Sequence, residues 1–160
     1  MKPSIYVETS VISYLTARPS SNILLLARQQ FTREFWEMRE LEFVAWVSDM
    51  VLDEASAGDP VAAADRLAAC AGLKALDINP AAQSFARELI RTGAVPATEP
   101  EDALHVAVAT VHQMDYIASW NSAYLVGPAA KFKSQSKIAA LGYRPPMIAT
   151  PEEIFEELSV

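Results

Sequence analysis

The chain has 160 residues, 51% of them hydrophobic, 21% charged and 9% aromatic, enough for one domain over residues 1–160 and too little for two. With no low-complexity run and no repeat of fixed period, that composition excludes disordered and solenoid classes, and a single cysteine, Cys70, excludes intramolecular disulfides and thiolate metal clusters. The net charge of −7 argues against a phosphate-binding surface taken over the whole molecule.

In chain order, "SIYV" reads as a strand that ends at Glu8, and "TSVISYLT" as a short helix capped by Thr9 or Ser10 and closed by Pro19. "SSNILLLARQQFTREFWEMREL" has Ile23, Leu26, Ala27, Phe31, Phe35 and Met38 at near-helical spacing, which predicts a long amphipathic helix. "EFVAWVS" follows as a strand, then a short helix from Ser48 to near Gly58, and a fourth helix with Asp59 as cap and Pro60 at its first position. Cys70, in the small-residue run "LAACAGL" of that helix, is read as core filling.

"LKALDI" predicts a strand, and Asn79 with Pro80 opens a helix that Gly93 closes. Thr98 and Glu101 stand at capping-box spacing before "ALHVAVATV", which is apolar on almost every face and so predicts a helix buried within the domain. "YIAS" is a fourth strand, "PAAKFKSQSKIAALGY" a basic helix ending near Gly142, and "PMIAT" a fifth strand. The last helix takes Thr150 as cap and Glu153 as the partner of a capping box. Strands separated by helices predict an α/β fold, a three-layer α/β/α arrangement around a mainly parallel sheet of four to five strands. The apolar runs are far shorter than the ~20 residues of a membrane span, and no signal peptide fits before Ser4. A cytoplasmic protein is expected.

Ligands of open parallel sheets collect beyond the carboxyl ends of the strands. Glu8 ends the first strand there, Asn121 lies two residues past "YIAS", Glu54 follows the second strand, and Asp102 opens the buried helix. Acids near helix starts ordinarily serve the helix dipole, which accounts for Asp53, Asp59, Glu101 and Glu153. Glu8 and Asp102 differ, because each abuts an apolar segment and should be partly desolvated. Three carboxylates about 5 Å apart would repel by about 3 kcal/mol per pair at an effective dielectric of 20, a total comparable with the stability of a whole domain. No Lys or Arg stands within five residues of Glu54 or Asp102, so a bound divalent cation is the economical compensation. All-oxygen ligands point to Mg²⁺, with Mn²⁺ as substitute. His105 and His112 are about 10.5 Å apart along one helix, too far to share an ion, and are read as packing or hydrogen-bonding residues. GxGxxG, Walker, HExxH and GxSxG sequences are absent.

"IYVETSVISYL", "SDMVLDE", "EDALHVAVA" and "IASWN" occur in the order and spacing of PIN-domain nucleases, and the chain resembles the VapC-type toxins of type II toxin–antitoxin modules over nearly its whole length. The resemblance implies a PIN-like fold and a Mg²⁺-dependent endoribonuclease. It implies a metal site of Glu8, Asp102 and Glu54, with Glu8 and Asp102 binding directly and Glu54 also binding or orienting the water, positioning by Asn121, and support from Thr9 and Ser10. Glu8 stands where the family usually has Asp, and Tyr124 where many relatives have His. Two stretches free of acids, Thr9 to Arg33 and Tyr116 to Pro151, supply Arg18, Lys131, Lys133 and Lys137 for RNA backbone contacts, unless they are simply solvated helix faces. Further implied partners are a cognate antitoxin and a second copy of the chain, for which Leu24, Leu25, Phe31, Phe35 and Trp36 offer apolar surface beyond the needs of a small sheet, unless that stretch is ordinary core. The competing expectation is a module of the same fold that binds RNA or protein without cleavage. A magnesium phosphohydrolase ranks behind both, since no DxD follows the first strand.

Overall fold

The computed structural model describes residues 1–159. Among them the chain runs β1 (Ser4–Val7), α1 (Thr9–Thr16), α2 (Ile23–Glu42), β2 (Val44–Ser48), α3 (Asp49–Ala55), α4 (Pro60–Cys70), β3 (Lys74–Leu76), α5 (Pro80–Arg91), α6 (Pro100–Val111), β4 (Tyr116–Ala118), a π-helical turn (Ser122–Val126), α7 (Pro128–Ala140), β5 (Met147–Ala149) and α8 (Pro151–Leu158). The five strands form one sheet in the order β3-β2-β1-β4-β5, every pair parallel. Helices cover both faces in a three-layer α/β/α arrangement. One set packs α1 against α2, α3 and α4, with α2 also against α8; a second packs α5 against α6 and α7.

The strands are apolar because they are enclosed from both sides. Ile5, Tyr6 and Val7 of the central strand are fully buried, as are Ile117, Ala118 and Val47 beside them. In α6, Ala103 and every residue from His105 to Thr110 are buried, as the uniformly apolar segment predicts. Cys70 is buried against the core. No helix of the described residues is long and apolar enough to cross a membrane.

The start of α1 is capped differently from the expectation. Its N-cap is Glu8, whose own carboxylate accepts the Ser10 N–H, with Thr9 already helical. The Thr98–Glu101 capping box does not form either: α6 starts at Pro100, after an N-cap Glu99 that makes no side-chain bond. Proline's fixed φ suits the first helical position and holds the residue before it out of the helix, which moves Glu101 one place too early to reach back. The box at Thr150 and Glu153 is complete.

The long helix α2 presents the predicted apolar face only in its second half, where Phe35 is buried and Phe31 packs against the core. Ile23, Leu24, Leu26 and Ala27 are exposed, whereas Gln29, Thr32 and Phe35 are buried. Gln29 is inside because its amide serves the incoming loop, accepting from the Ser20 N–H at 2.9 Å and donating to the Arg18 carbonyl at 2.9 Å. Thr32 is inside because its hydroxyl accepts from the Trp120 indole at 2.9 Å.

Candidate functional site

The sheet order places β1 beside β4, where the direction of strand addition reverses, and both strands end at the same edge. Their register pairs Val7 with Ala118, and the Glu8 N–H continues the ladder to the Ala118 carbonyl at 3.1 Å. Glu8 and the segment Ser119 to Asn121 therefore leave the sheet side by side, at the switch point where open α/β sheets bind ligands.

Glu8 is only 7% exposed and is held by three donors. Its Oε2 accepts the Ser10 N–H at 2.9 Å, and its Oε1 accepts the hydroxyls of Ser10 at 2.6 Å and Ser119 at 2.5 Å. Each hydroxyl in turn accepts a backbone N–H of the neighbouring loop, Ser10 from Trp120 at 2.8 Å and Ser119 from Asn121 at 3.0 Å. One carboxylate thus caps α1 and anchors the chain after β4.

Asn121 follows from that anchoring. Its side-chain oxygen accepts the Tyr124 N–H at 3.1 Å and caps the π-helical turn, which leaves its amide hydrogens for the Asp102 carboxylate beside it. Burial pushes the Asp102 carboxyl above the usual range; Asn121 and His105 oppose that, while the charges of Glu8 and Glu99 add to it.

Glu54 sits on the far side of His105. Its Oε1 accepts the Thr9 hydroxyl at 2.6 Å and pairs with His105 Nε2 at 2.8 Å. Burial pushes Glu54 up, but the bonds from His105 and Thr9 outweigh it and hold its carboxyl below the usual range. Behind His105, Nδ1 meets the Tyr6 hydroxyl at 2.6 Å, which meets the Ser48 hydroxyl at 2.8 Å.

Compared with known proteins, the chain matches no family model and no curated protein.

The four candidate residues Glu8, Glu54, Asp102 and Asn121 form one connected neighbourhood, with Thr9 and Ser10 each bonded to one of the acids. Among the described residues no Lys or Arg forms an ion pair with Glu8, Glu54 or Asp102. No three His, Cys, Asp or Glu side chains of the described residues stand as a ready chelate, and Oε1 of Glu54 is taken up by Thr9 and His105. The residues fit a hard divalent cation by donor type and by charge: carboxylate oxygens, an uncompensated negative neighbourhood, and a lone pair left on Glu8 after its three donors.

The basic candidates lie on separate elements, Arg18 after α1 and Lys131, Lys133 and Lys137 along α7. Lys131 is ion-paired with Glu153 of α8 at 3.0 Å, so its charge is shared with a carboxylate. Lys133 lines a shallow cavity with Tyr124, Ala123 and Gly93. Arg18 is exposed beside a cleft between α1 and α4 that also holds Asp59 and Asp65, and Lys137 is exposed in the last turn of α7.

Nothing local in the sequence marks Tyr6, Ser48 and Ser119 as members of the site. Tyr6 sits within an apolar strand and reads as packing, and the two serines acquire partners only across the sheet. His105, one turn beyond Asp102 and facing the same way, was the one visible hint.

Proposed function

We infer that the protein is a metal-dependent endoribonuclease, the toxin of a VapC-type module, acting in the cytoplasm. Asp102 carries this reading: it is desolvated, faces the charges of Glu8 and Glu99, and has Asn121 and His105 in place of a Lys or Arg. A fixed cation would be a natural counter-charge for such a carboxylate. The resemblance of the four sequence segments to PIN-domain nucleases supplies the substrate class, RNA.

Glu8 and Asp102 would hold Mg²⁺, or Mn²⁺ in its place. When bound, the ion supplies positive charge that acidifies water and offsets charge on the phosphate. Glu54, held ionised by its donors, orients the attacking water and accepts its proton. The Asn121 amide, beside Asp102, favours the ionised form of that carboxylate. Ser10 and Ser119 fix Glu8, and the enclosing apolar segments keep bulk water from that acid. Arg18, Lys133 and Lys137, with Lys131 once released from Glu153, would bind RNA phosphates. The exposed apolar start of α2, with Ile23 85% and Leu24 58% accessible, is assigned to protein partners, the cognate antitoxin or a second copy.

The test is cleavage of total RNA by purified protein with Mg²⁺, with Mn²⁺ and with EDTA. Cleavage that requires the metal and disappears in Asp102→Asn is the expected result. Salt-sensitive RNA binding without metal-dependent cleavage would instead establish a binding module.

A further inference from the structure

The buried hydroxyls behind Glu54 have a direction. Ser48 caps α3 and accepts the Val51 N–H at 3.2 Å, and its hydroxyl hydrogen has the Tyr6 oxygen as its partner at 2.8 Å. The Tyr6 hydrogen then goes to His105 Nδ1 at 2.6 Å. That leaves the imidazole hydrogen on Nε2, aimed at Glu54 Oε1 at 2.8 Å.

The other polarities fail. With the hydrogen on Nδ1 alone, the Nε2 lone pair would face a carboxylate oxygen. With hydrogens on both nitrogens, Tyr6 would donate to Ser48, and the Ser48 hydrogen would be stranded; Ser48 is fully buried, so water cannot take it. Burial also pushes the Tyr6 hydroxyl up, so it remains a donor.

The geometry points to His105 as a positioning residue, held as its Nε2–H tautomer by the chain from Val51 through Ser48 and Tyr6, so that Glu54 is gripped at Oε1 and Oε2 is its uncommitted oxygen. Thr9 closes the grip, since its hydroxyl donates to the same Oε1 at 2.6 Å. Among the described residues no side chain or backbone group bonds Oε2. A carboxylate saturated on one oxygen cannot chelate through both, so Glu54 acts through a single oxygen, which suits a water-orienting role and not a bidentate one. The catalytic consequence rests on the ribonuclease reading; the tautomer does not.

The full-length protein labelled with ¹⁵N-histidine tests this. The chain has two histidines, and His112→Gln assigns their signals. Long-range ¹H–¹⁵N spectra should show His105 with a protonated Nε2 and an unprotonated, hydrogen-bonded Nδ1. Tyr6→Phe keeps the ring and removes the donor, so the Nδ1 signal should move. In RNA cleavage the same variant should lower kcat roughly ten- to a hundredfold and leave KM unchanged. A protonated Nδ1 in the unmodified protein, or a rise in KM with kcat unchanged in Tyr6→Phe, would overturn the assignment. The unmodified spectrum decides the tautomer even if Tyr6→Phe does not fold or no RNA is cut, so the relay and the ribonuclease reading fail separately.

Discussion

An Asp at position 8 could cap the Ser10 amide of α1 as Glu8 does, but its shorter arm would not also reach Ser119. The added methylene therefore has a structural use, because the carboxylate gathers two serine hydroxyls whose oxygens hold the Trp120 and Asn121 amides. Glu8→Gln replaces one acceptor oxygen by a donor, so the Ser10 N–H or the hydroxyl pair loses its partner. Loss of a cap of this kind costs about 1–2 kcal/mol, and urea unfolding should show a destabilisation of that size; an unchanged midpoint would mean that the three bonds contribute nothing. Asp102 should respond in the opposite sense. Its carboxyl is raised, mainly by burial, so the folded state favours its proton, and stability declines as pH rises from the unfolded value through the raised one. At neutral pH the ionised group opposes folding. Asp102→Asn should therefore raise the thermal midpoint of metal-free protein while abolishing cleavage, as expected of a residue kept for chemistry; a lowered midpoint would show that Asp102 is a stabilising cap.

At the scale of elements, the alternation of short apolar runs with capped helices was enough to give the parallel α/β architecture, because a strand enclosed on both faces leaves a distinctive apolar signature. Strand ends could then be found, and with them Glu8 and Asn121, while Glu54 and Asp102 stood out as acids on the helices that follow the second strand and fill the core. Only part of the α2 face could be found, Phe31 and Phe35 but not Gln29 and Thr32, which are buried by partners in the 17–20 loop and at Trp120 that local periodicity does not see. The π-helical turn was equally hidden: "SAYLV" carries no signal for it, and its geometry depends on Asn121 at one end and Gly127 at the other. A Cβ on Gly127 would lie 2.2 Å from the Ser122 carbonyl oxygen, a backbone atom that cannot swing aside. Gly127→Ala should force that turn open, at about 1–3 kcal/mol by the usual cost of overpacking, and should disturb Asn121 at its start. Chemical denaturation together with the cleavage rate checks this: activity should fall even under conditions where the variant is fully folded.

Across the whole molecule, the two edges of the sheet are tied by carboxylates of opposite character. At the carboxyl edge, Glu8 joins β1 to the chain after β4 inside a desolvated neighbourhood. At the amino edge, Asp115 accepts the Ser4 N–H at 2.8 Å and its hydroxyl at 3.1 Å, and Arg144 pairs with its other oxygen at 3.0 Å. That joins the start of β1, the start of β4 and the segment entering β5. The Ser4 backbone bond, ahead of the Ser4 hydroxyl and Arg144, holds the Asp115 carboxyl below the usual range against a smaller effect of burial. A depressed carboxylate stabilises the fold above its unfolded pKa of about 3.9, and that stabilisation is lost as pH falls through the lower folded value. The contribution is no more than about 1 kcal/mol, since the Asp115 side chain is 38% exposed and solvent screens its pair with Arg144. Asp115→Asn should thus lower the unfolding free energy at neutral pH and flatten its decline below about pH 4, bringing variant and unmodified protein together in acid. Urea midpoints measured from neutral to acid pH would show this convergence. Parallel curves with a constant gap would mean that Asp115 acts through shape or hydrogen-bond count and not through its charge, and that the amino edge of the sheet is not held electrostatically.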